Sequence, residues 1–326
     1  MTTSPRTGTP LLQPAAATAT TGLLLDVDGP LASPVTRRVP ARIIADLLTL
    51  ASAGWPIVFN TGRSDAFIRS EVMSPMRSAG IPAGVEFHAI CEKGAVWFTF
   101  SQDQYSAVQV DDRLAVPASY ADSIRNLVAS KYADLMFFDE TKRAMVSVEQ
   151  NLDVASEDYR AAQGAFDADA LDLMRSHDLG VCWLDRKEPA SDGGISFRID
   201  PTIISTDIEA VGVGKDLGAE RALTLLRAHG PVPSRWRTVG DSRTDYAMAD
   251  YLHAEGFAVA HVDVRPGDGV PAKPYQVLPV GQLVNDDAGA AFLAACVASL
   301  SGFSQPGERK TPRSEDRGVT DESAHP

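Results

Sequence analysis

Cysteine is scarce. The chain has three in 326 residues, Cys91, Cys182 and Cys296, and no two stand at metal-ligand spacing. Such an odd, scattered set argues against a disulfide framework and a thiolate metal site, and suits buried thiols in a reducing compartment. Positive charge is also in deficit, with 30 Lys and Arg against 43 Asp and Glu and a net charge of −13. That balance argues against nucleic acid and anionic membranes as partners, and an anionic ligand would need cations placed locally. No apolar run approaches the ~18 residues that span a bilayer. The opening stretch MTTSPRTGTPLLQPAAATATT has no charged start leading into an apolar segment, so no secretory signal is expected. These features predict a cytoplasmic protein and leave its oligomeric state open.

What the chain does have is apolar material, 44% of its residues, and length enough for two domains. Residues 1–20 are rich in Thr, Ala and Pro, and residues 304–326 are polar and charged; both read as disordered segments. Between them, short apolar runs at 22–27, 56–60 and 85–91 alternate with helical patterns at 40–53 and 64–79. This βαβαβ rhythm predicts a parallel sheet with helices on its faces. After Cys91 the rhythm changes. Strands at 95–100, 107–110, 135–138, 144–149, 180–184 and 194–199 surround helices at 118–131 and 156–177. From Leu217 the first rhythm returns, with helices at 219–229 and 245–253, strands at 237–240 and 257–264, and a final helix at 288–300. The pattern predicts an α/β fold: a Rossmann-like parallel-sheet core of residues 21–91 and 205–303, interrupted by an inserted α+β domain over 92–204, between disordered termini.

Residues able to do chemistry recur at the ends of the core strands. LLLDVDGPL, residues 23–31, drives an apolar run into Asp26 and Asp28; Thr61 follows PIVFN, and Asp241 follows RTVG. In an open parallel sheet ligands bind beyond the carboxyl ends of the strands, so these distant segments can share a cleft. An aspartate after a strand is often a turn former or helix cap, and Asp28-Gly29 alone fits that description. Asp26, inside the apolar run, does not. Carboxylates gathered in a cleft require a compensating charge. With only oxygen donors on offer, Mg²⁺ is favoured over Zn²⁺.

The segment Gly212-Val213-Gly214-Lys215-Asp216-Leu217-Gly218 invites a nucleotide-binding reading and fails it. Leu217 occupies the third glycine position of the dinucleotide fingerprint. Glu209 stands where the first glycine of a phosphate-binding loop belongs, and Asp216 where its Ser or Thr belongs.

Four segments in order resemble the motifs of the haloacid dehalogenase superfamily. They are Asp26-Val27-Asp28-Gly29-Pro30-Leu31, Thr61-Gly62-Arg63, Lys215, and Gly240-Asp241-Ser242-Arg243-Thr244-Asp245. The inserted domain resembles the mixed α/β cap of the branch holding Cof-like and sucrose- and trehalose-phosphate phosphatases, and Ile90-Cys91-Glu92-Lys93-Gly94-Ala95 resembles the motif that opens such caps. Pro30 replaces a threonine, Lys215 precedes Asp216 where glycine is frequent, and Thr244 stands where asparagine is common; no carboxylate is lost.

The resemblance implies a Mg²⁺-dependent phosphohydrolase acting on a small phosphorylated metabolite, a sugar phosphate by preference. Asp26 would be the nucleophile that forms an aspartyl-phosphate, and Asp28 the general acid and base. Thr61, Gly62, Arg63 and Lys215 would bind the phosphoryl group. The metal would be held by Asp26, Asp241 and the main-chain carbonyl of Asp28, with Asp245 in support. Among cap residues, Lys142, Arg143, Arg186, Lys187, Arg198, Trp97 and Trp183 are better read as surface or core than as site residues. A phosphomutase on the same fold and a non-catalytic binding protein derived from it are the alternatives.

Overall fold

The computed structural model describes residues 20–301. The segments expected to be disordered, 1–20 and 304–326, lie outside the described residues except for Thr20. In chain order the first part builds β1 (Thr21–Leu25), α1 (Ala41–Ser52), β2 (Ile57–Asn60), α2 (Asp65–Ile68), α3 (Ser74–Ala79), β3 (Phe87–Cys91), β4 (Val96–Phe100) and β5 (Gln109–Val110). The middle contributes α4 (Ala118–Leu127), β6 (Met136–Phe138), β7 (Val146–Gln150), α5 (Ser156–Ser176), β8 (Val181–Trp183), β9 (Arg186–Glu188), β10 (Phe197–Pro201) and β11 (Ser205–Ala210). The last part holds α6 (Lys215–Arg227), β12 (Arg235–Gly240), α7 (Tyr246–Ala254), β13 (Ala258–Asp263), β14 (Gln276–Pro279) and α8 (Asn285–Ser301).

Eight strands form one sheet in the order β14-β13-β12-β1-β2-β3-β4-β5, parallel from β14 to β3 and antiparallel beyond. Its centre is covered on both sides, which is why β1 is apolar without alternation. Leu23, Leu25, Phe59 and Phe87 join the core that includes α1 and α8. Leu24, Val58 and Ile90 pack against Ala219 and Leu223 of α6 and Met248 and Leu252 of α7. With β12 and β2 flanking β1, the sequence-distant aspartates end on neighbouring strands.

Six strands form the second sheet, ordered β6-β7-β11-β10-β8-β9 and antiparallel except for the β10–β8 pair. Sheet membership does not follow the boundaries expected at 92 and 204. The strands β4 and β5 extend the parallel sheet, and β11 lies in the second sheet between β7 and β10. In β4, Val96, Phe98 and Phe100 are buried while Trp97 and Thr99 are half-buried. Alternation of this kind reveals a half-covered strand but not which sheet it joins. The helix expected from residue 219 begins earlier, at Lys215.

Candidate active site

The main chain of Asp26 prolongs β1 by donating its N–H to Val239 O at 2.9 Å. The chain then turns through Gly29, whose φ is +87°. A Cβ built on Gly29 would lie 2.6 Å from Cγ of Asp241. The turn and the Asp241 side chain are therefore in direct apposition, and the left-handed conformation there is one that glycine adopts without cost. Beyond β12, Asp245 organises the Asp241 loop from below. Its Oδ2 accepts from Asp241 N at 3.1 Å, Ser242 N at 2.9 Å and Ser242 Oγ at 2.7 Å, closing a capping box.

The ammonium of Lys215, at the first turn of α6, meets Asp26 Oδ1 at 2.7 Å and Asp245 Oδ1 at 2.6 Å. It is placed by a reciprocal clamp with Asn60 at the end of β2: Lys215 Nζ donates to Asn60 O at 2.9 Å, and Asn60 Nδ2 donates to Lys215 O at 2.9 Å. A Cβ on Gly218, one turn further along α6, would come within 2.0 Å of Asn60 Oδ1, so the helix approaches the strand end as closely as glycine permits.

Asp26, Asp241 and Asp245 each offer an oxygen within 4.8 Å of the others. Asp26 and Asp245 are buried and Asp241 half-buried. Three carboxylates meet one ammonium, Lys215, and, at the half-exposed rim, one guanidinium, Arg265 Nη1 at 3.7 Å from Asp241 Oδ2, so negative charge remains in excess and a cation would complement it. The imbalance is visible in the proton affinities. Burial, with Asp245 and Asp28 nearby, pushes Asp26 well above the usual carboxylate range despite Lys215. Burial and Asp245 push Asp241 up to about 6, with Arg265 and Lys215 opposing. Burial also opposes ionisation of Asp245, but Lys215 and the Ser242 hydrogen bonds outweigh it and hold this carboxyl below the ordinary value. Oδ1 of Asp245 has its ion-pair contact with Lys215 and no directed hydrogen bond, so lone-pair capacity remains beside the cluster. All-oxygen donors, an excess of negative charge and unspent acceptor capacity fit Mg²⁺.

Asp28 stands apart from that cluster. Arg63 grips its carboxylate from two sides, Nε to Oδ2 at 2.9 Å and Nη2 to Oδ1 at 3.0 Å. Thr61 is fully buried past the end of β2; its Oγ1 accepts from Arg63 N at 3.1 Å. Its own hydroxyl proton has no acceptor among the described residues and is free to donate. The carbonyl of Gly62 accepts from Lys142 Nζ at 2.8 Å. The structure thus brings Asp26, Lys215, Asp241 and Asp245 into one cluster and sets Asp28, Thr61, Gly62 and Arg63 in a second, adjoining group. Sequence reasoning missed Asn60, whose signal was a polar residue ending an apolar strand. It also left Lys142 and Arg143 among surface and core residues. Lys142 reaches the Thr61–Arg63 turn, and Arg143 Nε meets the buried Asp65 at 2.5 Å.

No protein-family profile matches the chain, and no curated protein matches its sequence. Solved structures match by fold. A haloacid dehalogenase-like hydrolase from Bacteroides thetaiotaomicron superposes with a TM-score of 0.53 at 12% identity, over 86% of this chain and 99% of that one. A protein from Thermoplasma acidophilum superposes with a TM-score of 0.52 at 11% identity, over 85% of this chain and 98% of that one. The chain therefore has the haloacid dehalogenase-like fold, a Rossmann-like parallel-sheet core carrying a second α+β unit. Among the described residues no helix is long and apolar enough to cross a membrane.

Proposed function

We propose that this chain is a Mg²⁺-dependent phosphohydrolase that removes phosphate from a small phosphorylated metabolite, a sugar phosphate in the first instance. The observation that carries the reading is the buried contact of Lys215 with Asp26 and Asp245 beside Asp241. A buried carboxylate paired with one ammonium, with two further acids beside it at a sheet rim, is a nucleophile with a cation site attached, and a bound cation would oppose the burial and like charge that favour its protonated form. The sugar-phosphate preference rests on the resemblance of the inserted unit to sugar-phosphatase caps. The division into a catalytic core and an inserted cap belongs to this proposal, with β4 and β5 on the core sheet and β11 on the cap sheet, as does a reducing, cytoplasmic setting, which three free cysteines support.

In the reaction, an oxygen of Asp26 bonds to phosphorus as the bond to the leaving oxygen breaks, and Asp28 gives that oxygen a proton. Water then attacks the phosphorus of the aspartyl-phosphate, Asp28 takes a water proton, and inorganic phosphate leaves with Asp26 restored. Both oxygens of Asp28 accept from Arg63 in the structure, so the protonated form that Asp28 needs in the first step competes with this ion pair. Thr61 would donate its free hydroxyl proton to a phosphoryl oxygen, and Lys215 would offset the charge that gathers on the phosphoryl group. Asp26, Asp241 and Asp245 would hold Mg²⁺, which supplies charge neutralisation between the carboxylate and the phosphate dianion. The test is phosphate release from a panel of phosphorylated metabolites and an aryl phosphate, with and without Mg²⁺. Asp26→Asn should lose at least ~10³ in turnover; near-normal activity in that variant would end the covalent reading.

A further inference from the structure

The turn Glu92-Lys93-Gly94, which follows β3, has three successive residues in the left-handed region, with φ of +48°, +55° and +102°. Gly94 needs that freedom: a Cβ there would lie 2.8 Å from Cγ of Leu217 on α6. Glu92 and Lys93 do not share glycine's tolerance, and such backbone persists only where the surroundings over-determine it. The surroundings here are the catalytic loops themselves. Glu92 N donates to Arg63 O at 3.0 Å, Lys93 N to Thr61 O at 3.0 Å, and Gly214 N to Lys93 O at 2.8 Å. One strained turn thus holds both the Thr61–Arg63 segment and the residue that precedes Lys215.

The two side chains run the other way, into the second sheet and its loops. The buried carboxylate of Glu92 accepts three main-chain N–H groups, from Arg143 at 2.8 Å, Ala144 at 2.8 Å and Met145 at 3.0 Å. These residues lie just ahead of β7 and follow directly on Lys142, whose ammonium rests on Gly62 O. Lys93 Nζ donates to Glu209 Oε1 at 2.7 Å and to Asp207 Oδ2 at 3.4 Å, both on β11. Glu209, which is fully buried, shares its Oε1 between this cation and Arg198, whose Nη2 donates at 2.6 Å, so β11 is tied to the turn by one of two cations on a buried carboxylate. Side chains that fasten the second sheet are thereby anchored on a backbone that fastens the catalytic loops.

We infer that Glu92 and Lys93 are positioning residues that make the seating of the second sheet and the placement of Thr61 and Lys215 a single event. The kinetic readout rests on the phosphohydrolase reading; the exchange readout does not. Lys93→Gly suits the left-handed backbone and keeps every main-chain bond of the turn, and Glu209 keeps Arg198 when it loses Lys93, so relief of strain offsets part of the lost ion pair and the chain should still fold. Amide exchange over 61–65 and 214–218 should nevertheless quicken at least ~10-fold, with α1 unchanged. Glu92→Gln should quicken 61–65 and 142–146 together. With an aryl phosphate too small to reach the second sheet, Lys93→Gly should lower kcat by ~10-fold or more at little change in KM, since small misplacements at a reacting centre are expensive; Lys93→Arg should retain most of it. Native-like exchange in both variants would overturn the inference. So would a loss of activity confined to bulky substrates with exchange unchanged, which would make Lys93 a substrate contact. A native chain inactive on every phosphate ester would refute the phosphohydrolase reading, and the exchange result would still decide the positioning role.

Discussion

Lys215 Nζ and Asp26 Oδ1 lie 2.7 Å apart, both groups buried, at the junction of α6 and the end of β1. The same ammonium serves Asp245, so its removal leaves two buried carboxylates facing each other. In Lys215→Met the metal-free protein should lose about 3–5 kcal/mol of stability, the usual result of orphaning a buried charge. Added Mg²⁺ should restore more stability to the variant than it gives the native chain, because the cation then meets a larger uncompensated charge. Turnover should fall at least ~10² whatever the metal concentration. Denaturant unfolding with and without Mg²⁺ reads the first two effects; equal stability of variant and native chain without metal would contradict the assigned charge balance.

Asp241 predicts the opposite behaviour. Burial and Asp245 raise its affinity for protons, up to about 6, so its ionised form costs the metal-free protein stability at neutral pH. Asp241→Asn should melt higher than the native chain in chelator. Mg²⁺ at 100 times its dissociation constant should stabilise the native chain by about 2.7 kcal/mol and the variant scarcely at all. Calorimetric scans in chelator and in Mg²⁺ distinguish the two. An undiminished Mg²⁺ shift in the variant would remove Asp241 from the metal site.

The chemistry at the first strand was legible because a strand covered on both faces is a continuous apolar run, and an aspartate inside such a run cannot be dismissed as turn chemistry. Gly240-Asp241 was legible only as part of the ordered motifs, because Arg235, Arg237 and Thr238 interrupt its strand's apolar run. Sheet membership was not. The alternation in β4 records a half-covered strand, and the same pattern would serve an edge of either sheet. The pairing of β11 with β7 and β10 depends on partners far away in sequence. Asn60 reads locally as a turn residue, and only the approach of α6 turns it into the clamp on Lys215. Asp28 follows Asp26 by two residues in the sequence, but its grip by Arg63 is a matter of side-chain direction, which spacing does not encode.

Gly29 offers a steric test of the metal-site geometry. Its φ of +87° and the 2.6 Å approach of its would-be Cβ to Asp241 Cγ leave no room for a side chain. Gly29→Ala should therefore displace either the turn or the carboxylate, at a cost of about 1–3 kcal/mol. The signature is a weaker Mg²⁺ response alongside lower turnover, with the chain still folded. Isothermal titration with Mg²⁺ and a melting curve check it; native Mg²⁺ affinity in Gly29→Ala would show that Asp241 does not depend on this apposition.

The second unit carries a buried carboxylate away from the site. Asp167, on α5, is 2% exposed and accepts from Thr206 Oγ1 of β11 at 2.7 Å. Burial outweighs that hydrogen bond and raises its pKa from the ordinary 3.8 to about 6. Between those values the folded chain binds more protons than the unfolded one, so stability falls as pH rises through the window, and the penalty persists above it. Asp167→Asn keeps an oxygen for Thr206 and has no charge to bury. The variant should be more stable than the native chain by about 1–2 kcal/mol at pH 7, the buried amide NH2 that needs an acceptor holding the gain below the full value of the shift. The advantage should shrink to nothing as pH falls towards 4. Urea midpoints of both chains across pH 4 to 8 measure it; parallel pH profiles would mean that Asp167 is ionised at no cost, through a partner stronger than Thr206.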